Sequence, residues 1–289
     1  MKHQDWEMLD VLLSTENITK AAEHLYLSQP TLTSRIRKLE AHYNVPLILR
    51  KQRGITFTPE GEVLAQHARK MLEEQIKIEE DLNNLKKEVA GTLRIGASNF
   101  FALNKMPKLL SLFKQQYPDV EFQVVTGWSK EMYRNILNQD VHISFISGDY
   151  SWKDKKELLY EESVCVAAPW EFQWEDLPTL PRIEYSTDDK MRYTIDDWWY
   201  SNYKHHPKVS IQVHQVEACR EMVLNGLGYA ILADLPVSSY PDLVTKPLKD
   251  ASGNSITRST SMYFHNDSLR LNVVDAFVNF VRTLDLKNL

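Results

Sequence analysis

Apolar residues recur at helical spacing through the first 40 positions of the chain, in three separate stripes. The stripes are Trp6, Leu9 and Leu13; Ile18, Ala21, Ala22 and Leu25; and Leu32, Ile36 and Leu39. Asn17 and Ser28 precede the second and third stripes and are favourable helix N-caps, and Pro30 is tolerated in a first helical turn. The pattern predicts three short helices around a small shared core.

The second and third predicted helices are separated by little more than Tyr26 and Leu27. So brief a connection, with two small alanines at the crossing, is typical of a helix-turn-helix whose second helix enters a DNA major groove. Residues 28–53 contain six Lys or Arg and one acid, Glu40, although the whole chain has a net charge of -5. A local positive patch on an acidic protein indicates phosphate contact. A helical hairpin with a solvated basic face is the alternative.

The outward face of the third helix is polar and basic, which suits it to contact bases. The alternating segment 55–58, after Gly54, is predicted to form a wing strand. Basic residues before that strand are candidates for phosphate contacts. The predicted DNA-binding residues are Gln29, Pro30, Thr31, Thr33, Ser34, Arg35, Lys38, Arg50 and Arg53.

Residues 59–89 are predicted to form one long helix that ends before Gly91. Apolar residues recur in it at alternating spacings of four and three, interrupted once by Gln75. A helix of this length extends about 46 Å, which is too long for one small domain to cover. We therefore expect a second copy of the chain to cover its apolar stripe, which we call the seam. Packing on the rest of the same chain is the alternative. The predicted dimerisation residues are Leu64, Ala68, Met71, Gln75, Ile78, Leu82 and Leu85, with Val89 continuing the spacing.

Short apolar strands alternate with amphipathic helices after Gly91. The strands are predicted at 92–97, 120–125, 143–146, 163–168, 209–213, 228–232 and 260–264. This alternation favours parallel pairing in an α/β domain. The domains we assign are a winged helix-turn-helix (1–58), a linker helix (59–90) and a two-lobed α/β domain (91–289). Lobe I spans about 91–161 and 266–289 and lobe II about 162–265, and the strand at 260–264 with the final helix should return to lobe I.

Polar loops follow four of these strands, where an open α/β sheet binds ligands between strand ends and helix N-termini. Each residue taken singly could cap a helix or face solvent, but the convergence of four loops supports a pocket for a small polar effector. The predicted effector-binding residues are Ser98, Asn99, Phe100, Trp128, Ser129, Ser147, His214 and Gln215. The nearby aromatic residues Trp198, Trp199, Tyr200 and Tyr203 are expected to bury area rather than to stack on a ligand.

The N-terminal motifs resemble those of the LysR-type transcriptional regulators. Five elements of that family occur in order: Ala21-Ala22, Ser28-Gln29-Pro30, Ile36-Arg37-Lys38-Leu39-Glu40, the basic wing at 50–53, and Thr58-Pro59-Glu60-Gly61. Thr33-Ser34 stands where many relatives have Ser-Arg, so a relative's base preference does not transfer. The resemblance implies a winged helix-turn-helix, a dimerisation helix, a two-lobed periplasmic-binding-protein-like effector domain, and dimers that pair into tetramers.

A narrower similarity is to the catabolite control branch of these regulators in low-GC Gram-positive bacteria, whose effector is citrate. Its residues are Thr126-Gly127-Trp128-Ser129, Trp198-Trp199, and the segments 217–222 and 226–232. Citrate needs convergent Arg or Lys side chains. The predicted cleft instead offers Ser147, and the lobe II loop carries Asp188-Asp189 with Lys190 and Arg192. Citrate is therefore one candidate among polar metabolites.

Other function classes have less support from the sequence. It contains no Gly-x-Ser-x-Gly, His-Glu-x-x-His or glycine-rich phosphate motif, so we predict no enzymatic activity, no cofactor and no metal. Without an apolar signal segment or a membrane-length apolar run, we expect a cytoplasmic protein with no membrane partner. Cys165 and Cys219 are predicted to be buried free thiols. We predict an effector-controlled, DNA-binding transcriptional regulator; an architectural DNA-binding protein, or an enzyme on the same fold, is the alternative.

Overall fold

The computed structural model describes residues 1–51, 54–85, 88–238 and 240–289, with only the backbone of Asn83. The chain divides into two compact units, 1–86 and 87–289. The long helix therefore groups with the N-terminal helices rather than forming a separate linker domain.

The first unit is a three-helix group followed by a two-stranded wing and a long helix. Its elements are α1 (His3–Thr15), α2 (Ile18–His24), α3 (Gln29–Tyr43), β1 (Ile48–Arg50), β2 (Ile55–Phe57) and α4 (Pro59–Asn84). The three predicted stripes meet in one core, which also receives Leu47, Ala65 and Ala68. At the start of α2, Asn17 Oδ1 accepts hydrogen bonds from the amides of Thr19 and Lys20 at 2.9 and 3.1 Å. The predicted cap is therefore formed.

The end of α4 differs from the sequence-based expectation. The helix ends at Asn84, five residues before the predicted end at 89. Two consecutive asparagines, at 83 and 84, disfavour helix because their side chains compete for backbone hydrogen bonds. Val89 is half-buried and packs against the apolar core of lobe I. Val89 therefore continues the spacing of the seam but belongs to the packing of lobe I.

The second unit contains one mixed sheet and a separate strand pair, with helices packed around them. Its elements are β3 (Gly91–Ser98), α5 (Asn99–Asn104), α6 (Met106–Gln116), β4 (Val120–Gly127), α7 (Ser129–Leu137), β5 (Ile143–Ser147), β6 (Lys155–Ala168), β7 (Arg182–Tyr185), α8 (Asp189–Asn202), β8 (Val209–Val213), α9 (Val216–Leu224), β9 (Ala230–Ala233), α10 (Leu235–Ser238), β10 (Val244–Pro247), β11 (Thr257–Phe264) and α11 (Asn272–Arg282). The strand order is β10-β6-β11-β5-β3-β4, and β9 also pairs with β6.

Strand direction follows the predicted parallel pattern only in part. β3 pairs in parallel with β4 and β5, and β7 pairs in parallel with β8. β11 instead lies antiparallel between β5 and β6. The 14-residue β6 pairs with β11 through its first half and with β9 and β10 through its second half. β6 is therefore the strand that joins the two lobes.

The lobe boundary also needs correction. Residues 260–264 fall within the range 162–265 that we predicted for lobe II. They pair instead with β5, and Met262 and Phe264 are buried in the lobe I core. This agrees with the expectation that the last strand returns to lobe I. In lobe II, Trp198 and Trp199 are 7% and 1% exposed and belong to an apolar core. Both cysteines are buried and unbridged, as predicted.

Candidate functional site

The start of α3 is organised by its cap residues. Ser28 Oγ accepts a hydrogen bond from the amide of Thr31 at 3.3 Å and lies 2.7 Å from the Thr31 hydroxyl. Tyr26, in the preceding turn, has a left-handed backbone conformation (φ 53°) and a fully exposed side chain. The inward face of α3 is buried, so its polar face remains available to a partner.

Most of the predicted DNA-binding residues lie on accessible surface of the first unit. Those exposed are Gln29, Pro30, Thr31, Ser34, Lys38 and Arg50, and those half-buried are Thr33 and Arg35. Arg53 lies outside the described residues. Contact with DNA by these side chains stays a prediction.

Glu40, the single acid of the basic segment, is directed to the backbone. Its Oε1 accepts hydrogen bonds from the amides of Leu47 and Ile48 at 2.9 and 3.5 Å. The carboxylate therefore joins the end of α3 to the wing. The outward face of α3 carries the basic side chains of Arg35, Arg37 and Lys38 without an acid among them.

The wing depends on a glycine at its turn. Gly54 has φ +87°, and a Cβ at this position would lie 2.5 Å from the carbonyl oxygen of Glu16. The neighbouring amide of Ile55 donates a hydrogen bond to that same oxygen at 2.9 Å. The wing is therefore held directly against the end of α1.

The polar loops of the second unit meet at a cleft of about 690 Å³, measured with its open mouth. All eight predicted effector-binding residues line it. Among them Ser98 and Ser129 are buried, whereas Trp128, His214 and Gln215 are exposed. The structure therefore brings the four loops together, and ligand binding by their residues stays a prediction.

Hydroxyl groups on neighbouring strands form one wall of the cleft. Ser98 Oγ lies 3.4 Å from Ser147 Oγ, which lies 3.0 Å from Thr260 Oγ1. At the rim, Ser186 Oγ is 3.4 Å from His214 Nδ1. These groups suit hydrogen bonding to a polar ligand.

Charged residues that the sequence reasoning missed also line the cleft. Glu162 and Arg258 are direct cross-strand partners on β6 and β11, and Arg258 contacts Asp188. Glu162 is 5% exposed, and its Oε2 accepts a hydrogen bond from the amide of Leu235 at 3.0 Å. Burial raises the pKa of the Glu162 carboxyl. Glu217, on the first turn of α9, is a further acid in the lining.

Lys190 and Arg192, the cations that the sequence analysis considered as partners for citrate, do not line this cleft. Lys190 Nζ lies 3.5 Å from Asp149 Oδ2, and Arg192 donates to the carbonyl of Tyr185 at 3.4 Å. Lys130 of lobe I also pairs with Asp189 of lobe II at 3.2 Å. Lys130 and Lys190 therefore connect the lobes, and Arg192 bonds within lobe II, rather than supplying positive charge to the cleft.

Two family profiles match the chain. One, described as "Bacterial regulatory helix-turn-helix protein, lysR family", matches residues 3–62, and the other, described as "LysR substrate binding domain", matches residues 86–285. The chain belongs to the LysR family. It is a DNA-binding transcriptional regulator with an effector-binding domain.

Two relatives from Bacillus subtilis (strain 168) match this LysR-type regulator over nearly its whole length. The uncharacterized HTH-type transcriptional regulator YraN is 37% identical over 282 residues, 98% of each chain. The uncharacterized regulator YkuM is 33% identical over 291 residues, covering 100% of this chain and 99% of YkuM.

Solved structures have the same fold. Full-length CbnR complexed with its target DNA has a TM-score of 0.67 and 17% identity, with 98% of this chain and 99% of CbnR covered. The Vibrio cholerae virulence activator AphB has a TM-score of 0.66 and 17% identity, with 99% of this chain and 100% of AphB covered.

The predicted dimerisation seam of the LysR-type chain divides into two parts. Ala68 is 1% exposed and packs in the core of the first unit, with Leu64 half-buried beside it. The seam is exposed further along α4 and just beyond its end: Met71, Ile78, Leu82 and Leu85 are 45 to 78% exposed, and Gln75 is half-buried. The same chain therefore covers the first turns of the seam, and Ala68 does not fit the predicted role in dimerisation.

The described residues of this regulator include neither a membrane span nor a metal-binding cluster. None of their helices has the length and apolar content that crossing a bilayer requires. No group of three or more His, Cys, Asp or Glu in that part of the chain is arranged to hold a metal ion.

Proposed function

We propose that this LysR-type regulator binds operator DNA as a dimer and that a small polar molecule in the cleft modulates that binding or promoter activity. The observation that carries the proposal is the convergence of four loops, separated by as many as 117 residues from Ser98 to Gln215, on one cleft. An architectural DNA-binding protein has no use for such a site. We also propose that the protein is not an enzyme and acts in the cytoplasm, where its operator DNA lies.

On the DNA side, we expect the polar residues in the first half of α3 to reach base edges, an expectation that the accessibility of most of them supports. We assign Gln29, Pro30, Thr31, Thr33, Ser34 and Arg35 to base contacts, and Lys38, Arg50 and Arg53 to phosphates. Hydrogen-bonding side chains discriminate base edges, whereas cations on phosphates bind most sequences alike. Two such helices on a dimer read two half-sites, so we expect a palindromic operator.

The dimer follows from the exposed part of the seam. Met71, Ile78, Leu82 and Leu85 form an apolar strip along the outer part of α4 and just beyond its end, and a second copy is its natural cover. Gln75, between Met71 and Ile78, would help to fix the register. Ile78→Lys should therefore shift the protein toward monomer in sedimentation equilibrium, while Lys77→Ala, at an exposed neighbouring position, should leave the dimer intact. Further pairing into tetramers is the assembly that the family resemblance implies.

Operator binding by two variants tests the division of roles on the DNA. Arg35→Ala should cost about 1–3 kcal/mol at one base position and little elsewhere. Lys38→Ala should weaken binding to all sequences and reduce the salt-dependence slope by about one. Binding of full-length protein to genomic fragments and to random competitor, at several salt concentrations, measures both. Equal losses on specific and random DNA in both variants would contradict the assignment.

Ser129→Leu tests the effector side. Ser129 is 5% exposed at the start of α7, so leucine would occupy space in the cleft. We expect this variant to keep operator affinity and lose the promoter response to cell metabolites. Ser151→Leu, on an exposed loop outside the cleft lining, is the control. Loss of both operator affinity and response would indicate misfolding, and an unchanged response would contradict the proposed effector site.

A further inference from the structure

The charged side chains of the cleft lining are mostly acidic. Glu162, Asp188 and Glu217 contribute three carboxyl groups and Arg258 one guanidinium, so acidic side chains outnumber it among the described lining residues. A ligand with several carboxylates would therefore meet like charges, which raise its free energy of binding.

Arg258 is already engaged by the protein. Its guanidinium contacts Asp188, and the two side chains are 15% and 8% exposed. Asp188 is held in turn at the start of α8, where it accepts a hydrogen bond from the amide of Met191 at 2.9 Å. The buried Nε of Arg258 has no partner among the described residues, and one N–H accommodates at most one further acceptor. Arg258 is therefore the only cationic side chain, His214 aside, that the described lining offers to a carboxylate, and Asp188 already takes part of its hydrogen-bonding capacity.

Glu162 is placed to receive a cation. It lies opposite Arg258 on the paired strand, and only its Oε2 has a hydrogen bond, to Leu235, among the described residues. The raised pKa of Glu162 means that burial disfavours its ionised form. A bound ammonium group would stabilise that form by a charge-assisted hydrogen bond.

The cleft also presents groups that favour an anion. The first turns of α7 and α9 line it through Ser129 and Val216. Gln215, at the N-cap of α9, makes no side-chain capping bond, so its first-turn amides remain available. Helix N-termini stabilise negative charge, and the Ser98 and Ser129 hydroxyls add donors. At α7, Glu131 Oε2 already accepts a hydrogen bond from the Trp128 amide at 2.9 Å, so the lining combines a carboxylate with one helix end that has no acidic cap, that of α9.

We propose that the cleft binds a zwitterion of the α-amino-acid class, with its ammonium group at Glu162 and its carboxylate at the N-terminus of α9 and the Ser98 and Ser129 hydroxyls. This inference rests on the proposed function, since it names the ligand of the same cleft. It disfavours citrate, which brings three carboxylates and no cation.

Binding of matched probes to the full-length protein tests the charge pattern. The twenty common amino acids are screened by thermal shift, and the strongest binder is then compared by calorimetry with its decarboxylated amine, its desamino acid and citrate. We expect saturable binding of the amino acid, and both truncated probes should bind roughly 10- to 100-fold more weakly, because each loses a charge-assisted hydrogen bond.

Glu162→Gln removes the carboxylate charge but keeps an acceptor for Leu235. We expect it to weaken binding of the amino acid at least tenfold and to leave the weak binding of the desamino acid unchanged or improved. Glu161→Gln is the matched control, since Glu161 is the adjacent, exposed residue of β6. Its amino-acid affinity should equal that of the wild type.

Binding of the desamino acid or citrate as tightly as the amino acid would overturn the inference. So would failure of all twenty amino acids to bind. If citrate or the desamino acid binds and also changes operator binding, the proposed function stands and only the charge assignment fails. If Ser129→Leu leaves the promoter response to cell metabolites unchanged, the proposed function itself fails.

Discussion

The surface that we propose to face DNA, the DNA-facing surface, and the cleft are built in opposite ways. The first is formed by one continuous segment, from Ser28 at the cap of α3 to the wing at Arg50, with its outward side chains set by helical period. The second collects residues from Ser98 to Arg258, and its charged wall exists only because β6 and β11 lie side by side. A surface made from one segment can be predicted from local pattern, whereas a site made from distant strands requires the pairing to be known.

The packing behind the two sites differs as well. Behind the DNA-facing surface, three short helices and the start of α4 share one apolar core. Behind the cleft, lobe I and lobe II have separate cores, with polar and charged side chains between the lobes. Packing defects should therefore unfold the first unit, whereas the stability and ligand binding of the cleft should change mainly when its charges change.

The largest expected effect is on packing in the first unit. A Cβ on Gly61 would lie 2.0 Å from the carbonyl oxygen of Leu47 and 2.9 Å from the Phe57 ring. Gly61→Ala should therefore separate α4 from the wing, cost more than about 5 kcal/mol, and abolish operator binding. Glu60→Ala, at the exposed neighbouring position, should have little effect.

Thermal unfolding and operator binding measure this change, and ligand affinity of the second unit should stay the same. Unaltered operator binding by Gly61→Ala would show that the close approach at Leu47 does not limit packing. A parallel loss of ligand affinity would break the comparison between the two units.

A smaller effect is expected from the buried ion pair of the cleft. Arg258→Met leaves Asp188 without its cation in a site that is 8% exposed, which should cost about 3–5 kcal/mol. Arg282→Met breaks the pair with Glu157 on the surface, where the arginine is 47% exposed, and should cost less than about 1 kcal/mol. Urea unfolding of both variants gives the two costs. Similar values would mean that burial does not distinguish the pairs.

The smallest expected effect is a gain of stability from Glu162→Gln at neutral pH. Because burial raises the pKa of Glu162 in the folded state above its ordinary value of 4.5, the folded protein holds this proton more tightly than the unfolded chain. The corresponding stability is present below that ordinary value and is lost as pH rises through the raised pKa. Glutamine does not ionise, so Glu162→Gln does not lose this stability as the pH rises.

Thermal unfolding from about pH 4 to about pH 8 measures this difference. The variant and the wild type should unfold alike at the acid end, and the variant should be more stable at the neutral end. A wild type that is the more stable of the two at neutral pH would mean that Arg258 compensates fully for the burial of Glu162.

Local pattern was most informative where one segment forms one element. The spacing of α2 and α3, the cap at Ser28 and the wing after Gly54 needed only helical period, cap chemistry and a glycine turn. The same reasoning failed at the end of α4, where Val89 continued the apolar spacing but packs on lobe I. A period identifies an apolar face, but it does not identify the element that covers that face.

For the cleft, the sequence predicted the polar loops but not the charged side chains of the lining. Ser98, Ser129, Ser147 and His214 lie at or just after the carboxyl ends of strands. That position was sufficient to predict them. Arg258 and Glu162 lie within strands, 96 residues apart, and nothing local relates them. A single charged residue inside a strand was the available signal, and Arg258 in β11 carries it, whereas Glu162 is one of five charged residues of β6.

The amino-acid sequence by itself determined the LysR family, the helix-turn-helix, and the loops that surround a cleft, because helical period, capping and strand ends are properties of neighbouring residues. Only the tertiary structure decided that Ala68 is covered by its own domain and that a buried carboxylate and a paired guanidinium face the cleft. Burial and ion pairing depend on which distant segments meet, and here that depends on the antiparallel insertion of β11 between β5 and β6.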